Sequence, residues 1–278
     1  MIHQILDERF DGISGTWTGD DMKKLLAASV TGLALLSGSA LAADLPPAPQ
    51  VYKAPAVVAP AYSWTGCYIN GGFGYGVSNT DHNAETLPGL VPIDGRNTSG
   101  GRGWLGIAGA GCDFEVPFAG LGNWVVGAFG DYSFMNIHEP MQEFLLQGDA
   151  KQSNAWAAGG RVGYVVTPNL LAYSNGGYTQ SHFNQVNLQV AGIGPVAGFN
   201  PAHTYNGWFV GGGTEYALNF SWMPITGLFW RNEYRFSSFN KADLPLFTTA
   251  GAPTGFGVHT QPYEQAVLSE LVWRFNWH

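Results

Sequence analysis

From residue 64 to the C-terminus, apolar and polar residues alternate along short segments of the chain. Alternation with a period of two places successive side chains on opposite faces of a β-strand. Gly, Pro, Asn and Asp, which favour turns, separate the segments. The pattern predicts eight strands, at 64–76, 102–114, 123–134, 154–166, 170–181, 207–218, 227–238 and 264–276.

The connections between the predicted strands alternate in length. Long, polar connections lie at 77–101, 135–153, 182–206 and 239–263. Short connections lie at 115–122, 167–169 and 219–226. Long loops on one side and tight turns on the other are typical of outer-membrane barrels. The predicted fold is therefore all-β, an eight-stranded antiparallel up-and-down transmembrane β-barrel.

Charged residues share one face of each predicted strand. In the seventh strand, Arg231, Glu233 and Arg235 lie on the face opposite Trp230 and Tyr234. An arginine or lysine that faces lipid near the bilayer midplane costs about 2–4 kcal/mol, so the charged face must line the lumen. The predicted lumen residues are Asp113, Asp131, Arg161, Glu215, Arg231, Glu233, Arg235, Glu270 and Arg274.

The lumen charges have two interpretations. They could line a gated conductance path, or they could form ion pairs that fill the lumen and rigidify the barrel. An eight-stranded barrel is only wide enough for its own side chains, which favours the second interpretation.

Glycine and tryptophan also recur at particular places in the predicted strands. Glycines of the first and sixth strands, Gly71, Gly72, Gly74, Gly76 and Gly211–Gly213, would leave room for large inward side chains. Tryptophans near segment ends are predicted to form aromatic girdles at the membrane interfaces. They are Trp64, Trp124, Trp208, Trp230 and Trp273.

The N-terminal part of the chain has the features of a secretory signal. Two lysines after Met22 precede a short apolar run, which ends in Ala40-Leu41-Ala42, an Ala-x-Ala-like cleavage site. The Pro/Ala-rich segment that follows favours extended, polyproline-like geometry. The predicted domains are an upstream extension at 1–21 that is not translated or not retained, a signal peptide at 22–42, a periplasmic linker at 43–63 and the barrel at 64–278.

Composition excludes several classes of protein. Only 12% of the residues are charged and 14% are aromatic, whereas disordered chains are rich in charge and poor in aromatics. Apolar runs fall short of the roughly 18 residues that a transmembrane helix needs. The net charge of −8 gives no electrostatic support for a nucleic-acid partner.

Several stretches of the chain carry a resemblance to a known family. They read AADLPPAP after the signal, then WTGCYINGGFGYG, WVVGAFGDYSF, GRVGYVVTPNLLAYSNGGY, GWFVGGGTEYAL and RNEYRFSSF. In this order they resemble the small outer-membrane immunogenic proteins of alphaproteobacteria, a porin-family branch of the OmpA-like barrels. The resemblance implies location in the cell outer membrane and a structural or surface-antigen role. The expected partners are outer-membrane lipid, lipopolysaccharide and the barrel-assembly machinery, and the oligomeric state is left open.

The chain departs from this family at two places. Beyond Phe275, where the family usually ends in an aromatic residue, the chain continues to His278. Trp277 keeps the outward parity, so the assembly signal is either shifted or weakened.

In addition, Cys67 stands where the family usually has an aromatic residue, and it shares the lipid-facing parity with Cys112. A first hairpin that turns near residues 89–90 would place the two cysteines nearly opposite each other, as a disulfide or as two small lipid-facing residues.

Candidate catalytic residues are sparse. Ser181 and His182 are the nearest candidates, but adjacent residues of a strand point to opposite faces and no acid is placed beside them. The other histidines of the predicted mature chain are expected to lie in loops or at the terminus, in contact with solvent. They are His82, His138, His203, His259 and His278. They leave a surface role in haem or metal binding open. We therefore predict no enzymatic activity and no cofactor.

The alternatives to a structural or surface-antigen role are a narrow porin-like channel for small solutes or ions, a loop-mediated surface binding module and, last, a lipid-modifying enzyme.

Overall fold

The computed structural model describes residues 63–143, 146–190, 195–219 and 226–275. These residues form twelve strands. They are β1 Gly66–Thr86, β2 Val91–Pro92, β3 Asn97–Phe118, β4 Gly122–Glu143, β5 Leu146–Thr167, β6 Leu170–Phe183, β7 Val186–Val190, β8 Val196–Asn200, β9 His203–Ala217, β10 Leu228–Phe239, β11 Ala242–Thr248 and β12 Pro253–Phe275. The predicted extension, signal peptide, nearly all of the linker and Trp277 lie outside the described residues. The described part of the chain has no helix of the length and apolarity needed to cross a membrane.

The strands close into a barrel. Strands β1, β3, β4, β5, β6, β9, β10 and β12 pair in that order, each antiparallel to the next. Strand β12 pairs back with β1, from Cys67 opposite Phe275 to Thr86 opposite Phe256. Closure satisfies the backbone groups that an open sheet edge would expose, as a lipid environment requires. The predicted all-β, antiparallel fold is confirmed.

The number and length of the strands differ from the prediction. The described residues contain twelve strands rather than eight, because β2, β7, β8 and β11 lie in segments predicted as loops. Strand β1 continues to Thr86 and β12 begins at Pro253, so much of 77–101 and 239–263 is strand. In these extensions the outward side chains are polar, as at Asp81, while backbone pairing between β1 and β12 continues without a break. Alternation of hydrophobicity marks only the part of a strand that has one apolar face.

Two ends of the barrel are distinguished by their connections. We call the end that carries β2, β7, β8 and β11 the loop end, and the end that carries the connections after β3, β5 and β9 the turn end. The outer wall between them is apolar, with side chains such as Phe73, Trp104 and Val267 exposed. Ring pairs border this wall, at Tyr75–Trp104 and Trp156–Tyr178 toward the loop end and at Trp124–Tyr164 and Trp273–Phe275 toward the turn end.

The prediction that Trp64 belongs to an aromatic girdle is wrong. Trp64 is fully buried, with its ring centroid 5.1 Å from that of Phe229. Trp64 has the same parity as Tyr68, which also points inward. Its ring therefore packs inside the barrel and does not belong to the lipid-facing wall. The buried apolar cluster at the turn end is Trp64, Tyr68, Val125, Leu171, Tyr173, Ala217, Phe229 and Val272.

Glycines give the inward charged side chains their space. A Cβ at Gly127 would lie 1.9 Å from Asp113 Oδ1 and 2.7 Å from the Cys112 carbonyl oxygen. At Gly72 it would lie 2.6 Å from the Cα of Glu270. The Asp113 carboxylate at Gly127, and the backbone of β12 at Gly72, therefore occupy the volume that a side chain would fill at these positions.

Candidate functional site

The residues predicted to line the lumen point inward and form two clusters. The triple-arginine cluster, toward the turn end, consists of Asp113, Arg161, Glu215, Arg231, Glu270 and Arg274. The Arg235 cluster consists of Asp131, Glu233 and Arg235. Alternating positions on six of the barrel strands place these side chains in one lumen.

Glu215 is the centre of the triple-arginine cluster. Its carboxylate accepts hydrogen bonds from Arg274 Nε at 2.7 Å, from Arg231 Nη2 at 3.0 Å and from Arg161 Nη1 at 3.2 Å. The residue is 0% exposed. Charge-assisted hydrogen bonds of this kind are stronger than neutral ones and restrict both partners to one geometry. The cluster therefore fixes four strands, β5, β9, β10 and β12, against one another.

Asp113 extends the cluster to β3. Arg161 holds both of its carboxylate oxygens, with Nε 2.8 Å from Oδ1 and Nη2 bonded to Oδ2. Arg274 Nη1 donates to Oδ2 at 2.7 Å. Arg231 lies 3.8 Å from Glu270, which also accepts a hydrogen bond from the Asn70 amide at 2.5 Å. The three arginines thus face three carboxylates, so the cluster is balanced in charge.

The Arg235 cluster is smaller. The guanidinium binds Asp131 through two nitrogens, at 3.0 and 2.8 Å, and donates to Glu233 through Nε at 2.9 Å. The other oxygen of Glu233 accepts hydrogen bonds from the Tyr173 hydroxyl at 2.7 Å and from the Asn175 amide at 2.9 Å. Each charged group in this cluster has a partner, as buried charges require.

Aromatic rings that the sequence reasoning missed line the triple-arginine cluster. Three guanidinium carbons lie over the Tyr68 ring, those of Arg161 and Arg231 at 4.7 Å and that of Arg274 at 5.0 Å from its centroid. Such cation–π contacts are strengthened when both partners are desolvated. Tyr68 directly follows Cys67, which has the lipid-facing parity, so alternation along the first strand was the sequence signal that could have placed Tyr68 in the lumen.

A polar layer toward the loop end was also missed. Glu139 accepts hydrogen bonds from three hydroxyls, those of Ser78 at 2.8 Å, Thr80 at 3.0 Å and Ser99 at 2.5 Å. Deeper in the lumen, the Gln152 amide donates to Glu264 at 2.7 Å. Most of these residues lie in segments predicted as loops. Because side chains alternate between two faces only along a strand, the sequence offered no reason to place them in the lumen.

The lumen retains little empty space beside the Arg235 cluster. A cavity of about 20 Å³ lies between this cluster and Glu264, with Ser237 and Thr179 also in its wall. That volume accommodates about one water molecule. Side chains of the described residues therefore occupy most of the lumen beside this cluster.

Cys67 and Cys112 lie directly opposite each other in the ladder of β1 and β3. The structure joins them in a disulfide on the outer face of the barrel, with the Cα atoms 3.9 Å apart. The described residues contain no free cysteine.

Ser181 and His182 point away from each other. Ser181 is buried and accepts a hydrogen bond from the Gln152 amide at 2.7 Å. His182 lies on the outer face, with Nδ1 2.9 Å from the Thr204 hydroxyl. The two side chains therefore do not form a nucleophile–base pair.

The prediction that the histidines lie in loops is wrong for those in the described residues. His82, His138, His203 and His259 all lie in strands, and His82 is buried. The long loop-end extensions of the strands include these positions. His278 lies outside the described residues.

Comparison with models of known protein families gives no match. Two relatives, from Brucella melitensis biotype 1 and Brucella suis biovar 1, each bear the name "31 kDa outer-membrane immunogenic protein". Each is 28% identical to the chain in an alignment of 248 positions that covers 80% of this chain and 90% of the relative. The chain is an outer-membrane β-barrel protein. The resemblance to outer-membrane immunogenic proteins and the predicted location are confirmed.

Solved structures of outer-membrane proteins are also similar to this barrel. OprG from Pseudomonas aeruginosa has a TM-score of 0.41 at 11% identity, covering 76% of this chain and 97% of its own. The protease OmpT from Escherichia coli has a TM-score of 0.35 at 11% identity, covering 75% of this chain and 97% of its own.

Proposed function

We propose that the protein is a closed, non-enzymatic barrel of the outer membrane that contributes to envelope structure and displays its loop end at the cell surface. The observation that carries this proposal is the pair of ionic clusters that occupy the lumen. The names of the relatives, which describe immunogenic outer-membrane proteins, support the surface-antigen part of the proposal.

The ionic clusters favour a closed barrel over a channel. Glu215 and Asp113 are bound by guanidinium groups on several sides, and each bond would have to break for a hydrated ion to pass. Leaving one partner of a buried ion pair uncompensated costs about 3–5 kcal/mol. Thermal opening of the whole cluster would therefore be rare.

The outer surface supports a role at the membrane. Its apolar wall and aromatic borders suit contact with lipid, and its polar strand extensions suit contact with lipopolysaccharide head groups and water. We extend the proposal to these lipids and to the barrel-assembly machinery as partners.

Conductance in a planar bilayer tests the closed-barrel proposal. Purified mature protein should give no reproducible conductance steps, while a general porin in the same bilayers gives them. Arg235→Ala, which removes the guanidinium between Asp131 and Glu233, serves as the matched lumen variant. Steps in the native protein whose size changes in Arg235→Ala would establish the alternative, a narrow channel for small solutes or ions.

Lipid analysis tests the non-enzymatic part of the proposal. Mass spectra of lipid A and phospholipids from cells with and without the gene should carry the same acyl chains. A loss or gain of one acyl chain that depends on the gene would instead support a lipid-modifying enzyme.

A further inference from the structure

Closure of the barrel brings together three residues from distant parts of the chain. Asp243 on β11 lies opposite His259 on β12. On the other side of β12, Glu85 of β1 lies opposite Gly257, two residues from His259 and therefore on the same face of the sheet. One imidazole and two carboxylates thus meet at the loop end, outside the two ionic clusters.

The geometry of the three side chains is that of a potential metal site. One ligand atom from each of Glu85, Asp243 and His259 lies within 4.8 Å of the others. His259 Nδ1 lies 2.5 Å from Asp243 Oδ1. The side chains of His259 and Asp243 are 33% and 37% exposed, so an ion can reach them from solvent.

Glu85 supplies an independent indication of a missing positive partner. The residue is only 4% exposed, and its Oε1 is buried without a hydrogen-bond partner among the described residues. A buried carboxylate oxygen without a donor is costly, by several times the net value of an ordinary hydrogen bond. A cation bound between Glu85 and Asp243 would supply this oxygen with a positively charged partner.

We propose that Glu85, Asp243 and His259 bind one divalent transition-metal ion, with Zn²⁺ the best fit, and that water occupies the remaining coordination position. A mixed set of one imidazole nitrogen and two carboxylate oxygens suits Zn²⁺, which takes three protein ligands and a water in open sites. Ca²⁺ and Mg²⁺ prefer oxygen ligands throughout.

Binding requires a small rearrangement. Ligands bound about 2.1 Å from Zn²⁺ in tetrahedral geometry lie about 3.4 Å apart. The His259–Asp243 pair must therefore open slightly, while the most distant ligand atoms of the set draw together. The partial exposure of Asp243 and His259 leaves their side chains room to rotate.

The bound ion would connect three strands at the loop end. It would join β1 and β11 across β12, near the place where the barrel closes. Because the ion binds the folded chain, it should raise the thermal midpoint of unfolding in proportion to the logarithm of its concentration.

The test is a Zn²⁺ titration of the tag-free mature protein in detergent micelles at pH 7, against a chromophoric zinc indicator. The native protein should bind one ion per chain. Glu85→Gln, Asp243→Asn and His259→Asn should each weaken binding at least tenfold. Heat-modifiable gel mobility establishes that each variant is folded, and a Co²⁺ absorption spectrum in the native protein should show nitrogen and oxygen ligands.

His138→Asn is the matched control. His138 Nδ1 lies 2.6 Å from Asp149 Oδ2 in an exposed cross-strand pair on β4 and β5, which belongs to no three-residue ligand group within the described residues. This variant should change the affinity less than twofold. The proposal is overturned if the native protein binds no Zn²⁺, if the three site variants bind as the native protein does, or if His138→Asn loses as much affinity as they do.

Discussion

Glu215 illustrates what holds the interior of this barrel together at the scale of single residues. It has no contact with solvent, and three guanidinium groups supply its hydrogen bonds. Removing a carboxylate and three arginines from water is expensive, so the arrangement is stable only while every partner is present. Removing one charge leaves its partners buried without a counter-charge, and their desolvation then lowers the stability of the barrel.

We expect Glu215→Gln to lower the free energy of unfolding by about 3–5 kcal/mol, because three buried arginines lose their shared carboxylate. The urea midpoint of the barrel in detergent measures this loss. Glu264→Gln is the control, since Glu264 is buried but accepts its hydrogen bond from the Gln152 amide. Equal midpoints for the two variants would contradict the central role of Glu215.

Gly127 offers a second test at the residue scale. In Gly127→Ala the new methyl group would meet the carboxylate of Asp113, so we expect a loss of about 1–3 kcal/mol from overpacking. Gly130 lies on the outer face of the same strand, where the nearest atom to an added Cβ is the Ala157 carbonyl oxygen at 3.6 Å. Gly130→Ala should therefore leave the urea midpoint close to that of the native barrel. A larger loss in this control would refute the assignment of the inward face.

The strands are the elements whose lengths the hydrophobic pattern underestimates. Within the membrane, one face of each strand meets lipid and the other meets the lumen, so the alternation is clear. Toward the loop end the outward face also becomes polar, and the inward face mixes polar side chains with buried apolar ones such as Phe183 and Tyr205. Backbone pairing between β4 and β5 nevertheless continues to Glu143 opposite Leu146. The hydrogen bonds between strands join backbone groups and do not depend on the polarity of the side chains. Segments with the polar composition of loops can therefore continue as strands, and the hydrophobic pattern does not predict them.

The first two long strands, β1 and β3, should be covalently linked. We expect alkylation of the denatured chain without reductant to leave its mass unchanged, and reduction to allow two adducts, one on each of Cys67 and Cys112. A link between residues 45 apart in sequence restricts the unfolded chain, so reduction should lower stability by about 2–4 kcal/mol. Two adducts before reduction would show that the cysteines are free.

At the scale of the whole molecule, the proposed orientation places the loop end outside the cell. Lys151 and Lys241 lie in the loop-end half of the barrel, whereas Lys53 belongs to the predicted periplasmic linker. A membrane-impermeant amine reagent applied to intact cells should modify Lys151 and Lys241 but leave Lys53 unmodified. Permeabilised cells provide the control, in which Lys53 becomes reactive. Modification of Lys53 alone in intact cells would reverse the orientation.

The sequence alone determined the inward face of the strands. Arginines and acids such as Arg231 and Glu233 cannot face lipid at low cost, so parity assigned them to the lumen before any pairing was known. The same reasoning placed Cys67 and Cys112 on the outer face. Local periodicity was sufficient because the membrane imposes one rule on every strand.

Only the tertiary structure decided which of these residues meet. The three arginines around Glu215 come from strands far apart in sequence, and their distances depend on the register with which the barrel closes. Glu85, Asp243 and His259 become neighbours for the same reason, because β12 pairs with both β1 and β11. Side-chain parity is a local property of each strand, whereas register and closure are set by all the strands together.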